Sequence, residues 1–158
     1  MERSSAYRQA ADVFAEDAVM LRRTEQLLHG AIEEAAAVVR SALASGHRVT
    51  VCGNRISGAV VAAAGLGYDV FLPPGQAGDV LLVIMVGTPP DDLLGVIQAA
   101  RDRGLIAIGL LTDESLALRE VSDIVMCVPA ADAGAARLAM VAVLRTINVL
   151  ISPGLFLE

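Results

Sequence analysis

Three short stretches of the sequence place glycines, hydroxyls and carboxylates directly after apolar, strand-like segments. The first is Gly53–Ser57, which follows the run RVTVC. A glycine turn that leads into a helix can surround a phosphate with backbone N–H groups, and a guanidinium and a hydroxyl supply further donors. The residues predicted to bind a phosphate or a similar anion here are Gly53, Asn54, Arg55 and Ser57. The alternative is an ordinary strand-to-helix turn with Arg55 in solvent.

The second stretch, Gly87–Asp92, and the third, Thr112–Ser115, also follow apolar runs but offer fewer donors. Thr88 and Thr112 carry hydroxyls that could assist the first loop. Two prolines without N–H groups follow Thr88, and the two aspartates after them place negative charge at a helix start. That charge stabilises the helix but repels a phosphate. From the second and third stretches, we therefore expect only Thr88 and Thr112 to contribute to anion binding.

Groups suited to catalysis are scarce around these stretches. General acid–base chemistry needs a titratable group within hydrogen-bond reach of the reacting proton. The candidates after the strands are Asp69, Asp91, Asp92, Asp113 and Glu114. Their spacing pairs none of them with a base, so we interpret them as turn and helix-start residues. No nucleophile elbow or P-loop is present, and no cofactor is expected.

The histidines and cysteines are few and widely separated. His29 and His47 lie in or beside the N-terminal helices, while Cys52 and Cys127 lie at predicted strand ends. This dispersion does not match the ligand spacing of a metal site, so no metal is expected. We interpret both histidines as structural or solvated, and both cysteines as buried, inert core residues.

The composition predicts one aliphatic domain spanning residues 1–158. Of the 158 residues 55% are hydrophobic but only 3% are aromatic, which suits helices packed on a buried parallel sheet. A net charge of −6 without any lysine argues against a nucleic-acid partner. No uninterrupted apolar run reaches the roughly 18–20 residues that span a bilayer, so no membrane partner is expected. The N-terminal stretch lacks the apolar core of a signal peptide, which predicts a cytoplasmic protein.

The apolar periodicity predicts two N-terminal helices within residues 1–46 and an α/β core within 47–158. The N-terminal helices cover about 5–28 and 31–44, with Gly30 between them and Gly46 after them. The predicted strands are 48–52, 68–73, 79–86, 105–111 and 123–129, and the predicted helices between and after them are 57–65, 91–104, 114–122 and 133–151. Such alternation predicts a three-layer α-β-α sandwich with a parallel, flavodoxin-like sheet.

The runs RVTVCGNRISGAVVAA, DVLLVIMVGTPPDDLLGVIQAARDRGLIAIGLLTDE and VSDIVMCVP resemble a sugar isomerase (SIS) domain, most closely the phosphoheptose isomerase branch. The resemblance implies a site for a sugar phosphate. In that family three hydroxyls after the second motif strand hold the phosphate, and their positions here are Met85, Gly87 and Pro90. The family's catalytic Glu, on the helix after the first loop, and its catalytic His, near the C-terminus, have no counterparts in GAVVAAAGL or AGAARLAMVAVLRTINVLI.

Three functional hypotheses follow from these features. The first is a degenerate SIS domain that binds a phosphorylated sugar or similar anion in a regulatory or structural role, without isomerase catalysis. The second is an aldose–ketose isomerase of the phosphoheptose type whose site lies between subunits, with His29 or Glu33 reaching a neighbour's loop. The third is an assembly module with idle loops. In every case the apolar helix 133–151 predicts a homodimer or homotetramer.

Overall fold

The computed structural model describes residues 4–54, 60–61, 63–64 and 75–152. The predicted strand 68–73 lies outside the described residues, as does most of the predicted helix 57–65. The described elements are, in chain order, α1 (Ser5–Ala44), β1 (Val49–Gly53), β2 (Val80–Met85), α2 (Leu93–Asp102), β3 (Ile106–Leu111), a 3₁₀ helix (Asp113–Val121), β4 (Ile124–Cys127) and α3 (Ala133–Ile151). Each of these strands and helices except α1 was predicted, with small differences at the ends.

The four described strands form one parallel sheet in the order β1-β2-β3-β4. Parallel neighbours require a crossover, which α2 supplies between β2 and β3 and the 3₁₀ helix supplies between β3 and β4. These two connections pack on one face of the sheet, while α1 and α3 pack on the other. The predicted three-layer α-β-α sandwich is therefore confirmed.

Strand β2 shows why the sequence favours this arrangement. All six of its residues are buried, because alternate side chains enter opposite layers. Val80, Leu82 and Ile84 join the core beneath α1 and α3. Leu81, Val83 and Met85 join the core beneath α2. A strand covered on both faces needs a continuous apolar run, which is what the sequence LLVIM provides.

The prediction of two N-terminal helices is wrong, because α1 is one helix of 40 residues that continues through Gly30. A glycine costs a helix only about 1 kcal/mol relative to alanine. Buried residues occur on both sides of it, including Leu28 and Ile32, and their packing outweighs that cost. Gly30 itself is exposed, and a Cβ built on it would meet nothing within 4 Å.

Helix α1 ends at Ala44, as the sequence predicts. Gly46 has a φ of 80°, a conformation that suits glycine. Its N–H donates to the Leu43 carbonyl at 3.1 Å, and the His47 N–H donates to the Ala42 carbonyl at 2.9 Å. These two bonds form a Schellman motif, which satisfies the last carbonyls of the helix and turns the chain into β1.

Replacing Gly30 by alanine is expected to stabilise the protein by about 0.5–1 kcal/mol, because the helical backbone is unstrained and the new methyl group meets no neighbour. Urea unfolding should show a higher midpoint with an unchanged slope. Gly46→Ala is the matched control, since its positive φ makes alanine unfavourable and should lower the midpoint. A lower midpoint for Gly30→Ala would contradict the assignment of one unstrained helix.

By length and composition, α3 is the one described helix that could cross a membrane. Its packing is that of a core helix on one side. Six of its residues are buried against α1 and the sheet, namely Ala136, Ala139, Met140, Val143, Leu144 and Ile147. Leu138, Val149 and Leu150 remain 36–42% exposed on its other sides. The sheet and α1 therefore cover only part of this apolar helix.

Candidate functional site: the carboxyl edge of the sheet

The described parts of the three predicted loops meet at the carboxyl edge of the parallel sheet. Asn54 follows β1, Gly87 and Thr88 follow β2, and Thr112 follows β3. In open α/β sheets this edge is where ligands bind. Arg55 and Ser57, two of the predicted anion ligands, lie outside the described residues.

Hydrogen bonds connect the loops from one strand to the next. The Asn54 side-chain amide donates to the Val86 carbonyl at 2.8 Å, joining the first loop to the second. The Gly87 N–H donates to the Thr112 hydroxyl at 3.0 Å, joining the second to the third. Gly87 has a φ of 84°, and a Cβ built on it would meet nothing within 4 Å. The glycine is therefore required by the turn and not by crowding.

Among the predicted binding residues that the structure describes, Thr112 makes the most hydrogen bonds within the protein. It is only 7% exposed, and its hydroxyl donates to the Glu114 carboxylate at 3.0 Å. Its backbone N–H donates to the Ser115 hydroxyl, which donates in turn to the Thr112 carbonyl. The hydroxyl proton is thus used within the protein. Thr88, by contrast, is exposed.

A cleft of about 250 Å³ opens beside Thr112. It lies between the loops after β2 and β3 and the start of α3. Its lining is mainly small apolar residues and backbone, together with the carboxylates of Asp113, Glu114 and Asp132. Among the described residues that line it, none carries a positive charge. This acidic cleft repels a phosphate, so its described lining does not support anion binding beside Thr112.

Each of the three carboxylates has a structural partner. Asp132 is the N-cap of α3 and accepts the Ala135 N–H at 2.8 Å. Glu114 accepts the Thr112 hydroxyl, and Asp113 accepts the Cys127 thiol at 3.5 Å. Asp91 and Asp92 lie in the exposed turn before α2. These contacts support the interpretation of the acidic residues as turn and helix-start groups.

Neither thiol is activated. Burial raises the pKa of Cys52 to about 12. Burial, with the nearby Asp113 carboxylate, raises the pKa of Cys127 to about 11. Both groups are protonated at neutral pH, and a thiol attacks only as its thiolate. The prediction of a buried, inert residue holds for Cys52, whereas Cys127 is inert but only partly buried.

The histidines lie away from this edge. His47 is at the opposite, amino end of the sheet, where its Nδ1 lies 3.4 Å from Asp79. His29 is on α1, where its Nε2 lies 3.2 Å from the exposed Glu33. Among the described residues no group of three potential metal ligands comes together. Within one chain, the acidic cleft therefore has no described histidine to act as a base.

The sequence did not indicate that a second cleft borders the acidic one. Arg23 from α1 and Arg119 from the 3₁₀ helix line it, together with the segment after β4. The two arginines are far apart in sequence and sit on different elements. Only the packing of α1 alongside β4 could bring them to the same cleft.

Replacing Thr112 by valine is expected to destabilise the protein by about 1–3 kcal/mol, because the Gly87 N–H and the Glu114 carboxylate both lose their partner. Thr146→Val is the matched control, since that exposed hydroxyl donates to the Ala142 carbonyl of its own helix and its loss should change stability by less than about 0.5 kcal/mol. Equal unfolding midpoints for the two variants in urea would show that the Thr112 bond contributes nothing.

Comparison with known proteins identifies the fold. The sequence matches no family model, and no curated protein is significantly similar to it. Solved structures do match. A phosphoheptose isomerase from Francisella tularensis is 20% identical, with a TM-score of 0.76 over 95% of this chain and 100% of that one. A phosphoheptose isomerase from Neisseria gonorrhoeae is 17% identical, with a TM-score of 0.80 over 94% and 100%.

Similar structures also include a regulatory protein. The sugar isomerase domain of an RpiR transcription factor from Sphaerobacter thermophilus is 20% identical, with a TM-score of 0.66 over 91% of this chain and 88% of that one. Isomerases and a transcription factor thus share this architecture, and a shared fold alone does not select between them. The resemblance found in the sequence is confirmed in the structure: the chain has the fold of the SIS-domain sugar isomerases.

Proposed function

We propose that this chain is a degenerate SIS domain that binds a phosphorylated sugar or a similar anion in a regulatory or structural role in the cytoplasm. The anion would bind at Gly53–Ser57, with help from Thr88. Thr112 would assist by turning its hydroxyl proton from the Glu114 carboxylate to the anion. Isomerase catalysis would be absent. The fold supports the choice of ligand class, because the similar solved structures include phosphoheptose isomerases and a sugar isomerase domain from a transcription factor.

The observation that carries this proposal is that the carboxylates of the acidic cleft already accept hydrogen bonds within the protein. A general base must reach the reacting proton. The described carboxylates of the cleft instead accept structural hydrogen bonds from Thr112, Cys127 and Ala135. The two histidines lie on α1 and at the amino end of the sheet. Within one chain, the described residues of the cleft therefore offer no free base for proton transfer.

The test combines binding with turnover. Thermal unfolding would be followed with inorganic phosphate, sulfate and a panel of pentose, hexose and heptose phosphates. A ligand that binds only the folded state stabilises it by about 2.7 kcal/mol at one hundred times its dissociation constant. We expect a shift with at least one sugar phosphate that Ser57→Ala abolishes, and no aldose–ketose interconversion. Turnover would overturn the proposal, and the absence of any shift would favour the assembly module.

A second candidate is an aldose–ketose isomerase whose site includes a neighbouring subunit. The specific observation in its favour is the His29–Glu33 pair, in which both side chains are more than 60% exposed on α1. They line a groove between α1 and α3 instead of the acidic cleft of their own chain. This candidate therefore needs a second chain. If turnover is found, its loss in both His29→Ala and Glu33→Ala would support the candidate.

We also propose that the chain forms a homodimer or homotetramer. The exposed apolar side chains of α1 and α3 support this proposal, since a soluble monomer seldom leaves such faces open. Light scattering at micromolar concentration should give two or four times the 16.4 kDa of one chain. A monomeric mass would contradict the proposal.

A further inference from the structure

A cleft of about 530 Å³ lies between α1, the 3₁₀ helix and the segment that follows β4. We call it the arginine cleft, because Arg23 and Arg119 line it. Its volume falls in the range of small-molecule sites, roughly 300–1,000 Å³. It shares Asp113 with the acidic cleft but opens toward α1 instead of toward the loop after β2.

The charges of the arginine cleft are available to a ligand. Elsewhere in the described chain Arg22 pairs with Glu25, and Arg101 pairs with Asp123 at 2.9 Å. Neither Arg23 nor Arg119 forms an ion pair with a described residue. Arg119 and Cys127 both line the cleft. Two unpaired guanidiniums in one cleft favour an anion.

The remaining lining restricts the kind of anion. Leu27 and Leu116 are 60% and 36% exposed, and Val128 and Pro129 add to the apolar lining. An apolar group of a ligand would cover these surfaces. Asp113 also lines the cleft, and its carboxylate would repel a second anionic group. We propose that the arginine cleft binds a phosphomonoester with a compact apolar body and no further negative charge.

Phenyl phosphate is the probe, because it combines one phosphomonoester with an apolar ring. Titration calorimetry with the intact protein at pH 7.5 should show it binding more tightly than inorganic phosphate, which lacks the ring. Arg23→Ala and Arg119→Ala should each weaken binding by about tenfold, since a charge-assisted hydrogen bond is lost. Arg8→Ala is the matched control, an exposed arginine of the same helix outside the cleft, and should leave the affinity unchanged.

The same titration in Ser57→Ala separates this site from the one in the proposed function. Ser57→Ala should leave phenyl phosphate binding intact, whatever it does to sugar phosphates. If phenyl phosphate does not bind at millimolar concentration, or binds equally to wild type and both cleft variants, the arginine cleft is not a phosphate site. Loss of binding in Ser57→Ala alone would overturn this inference and assign the anion to the first loop.

Discussion

Removing the Asp79 carboxylate by Asp79→Ala should destabilise the protein by about 2–4 kcal/mol. Asp79 lies just before β2 and is 6% exposed. One carboxylate oxygen accepts the Arg48 N–H at 3.0 Å, and the other accepts the Gln76 N–H at 2.9 Å. These bonds fasten the start of β1 to the turn before β2. Without the carboxylate, two backbone donors at this partly buried position lose their acceptor.

The same contacts make this contribution depend on pH. The backbone N–H groups of Arg48 and Gln76, with a smaller effect from His47, hold the pKa of Asp79 below its ordinary value. A carboxyl whose pKa is lower in the folded state binds its proton more readily when unfolded. Its stabilisation is therefore complete above the unfolded pKa, about 3.9, and is lost as the pH falls through the folded pKa.

Asp79→Asn isolates the contribution of ionisation to stability, because an asparagine side chain cannot ionise. The difference in unfolding free energy between wild type and Asp79→Asn should be largest near pH 6 and should shrink toward pH 3. Asp102→Asn is the control, since that exposed carboxylate accepts a Gln98 amide within α2, and we expect a change below about 0.5 kcal/mol. A pH-independent difference for Asp79→Asn would show that its ionisation does not stabilise the fold.

The fold was largely readable from the sequence because its buried strands are unambiguous. The run from Asp79 to Val86 has the length of a strand and no breaker, and the structure places β2 within it. The error at Gly30 arose because one exposed glycine costs less than the packing of the turns around it provides. The local sequence shows the cost of the glycine to the helix. It does not show the packing of α1 on α3, because that packing involves residues about a hundred positions away.

The candidate site was less readable for a similar reason. The sequence correctly predicted that Thr112 follows a strand. It could not show that the Thr112 hydroxyl accepts the Gly87 N–H and donates to the Glu114 carboxylate. Nor could it bring Arg23 and Arg119 to the same cleft, since that depends on the packing of α1 alongside β4. Strand ends follow from local patterns. Which side chains share a hydrogen bond or a cleft follows from tertiary packing.

The N-terminal part of α1, Ser5–Val19, forms an arm that extends past the carboxyl edge of the sheet. The first buried residue of α1 is Thr24, and Arg23 already lines a cleft beyond the end of β4. At 1.5 Å per residue the arm is about 22 Å long. Nearly all of it is exposed, including Phe14 at 79% and Tyr7 at 52%.

The apolar stripe of this arm continues the buried face of α1. Tyr7, Phe14, Leu21 and Leu28 are spaced by seven residues, which places them on one side of the helix. Leu28 is buried in the core, and Leu21 lines the groove between α1 and α3. An isolated helix of this length is marginally stable in water. A second copy of the chain, packed along the stripe, would supply the missing cover.

Phe14→Asp should therefore weaken self-association by at least about a hundredfold, because a charge would be buried in an apolar contact between chains. Sedimentation velocity across nanomolar to micromolar concentrations would measure the change. Gln9→Asp is the matched control: it adds the same charge to the arm, but on the side of the helix opposite Phe14. If both variants associate as wild type does, the arm is not the contact between chains. If only Phe14→Asp dissociates while its helix content per chain is retained, the stripe joins the subunits.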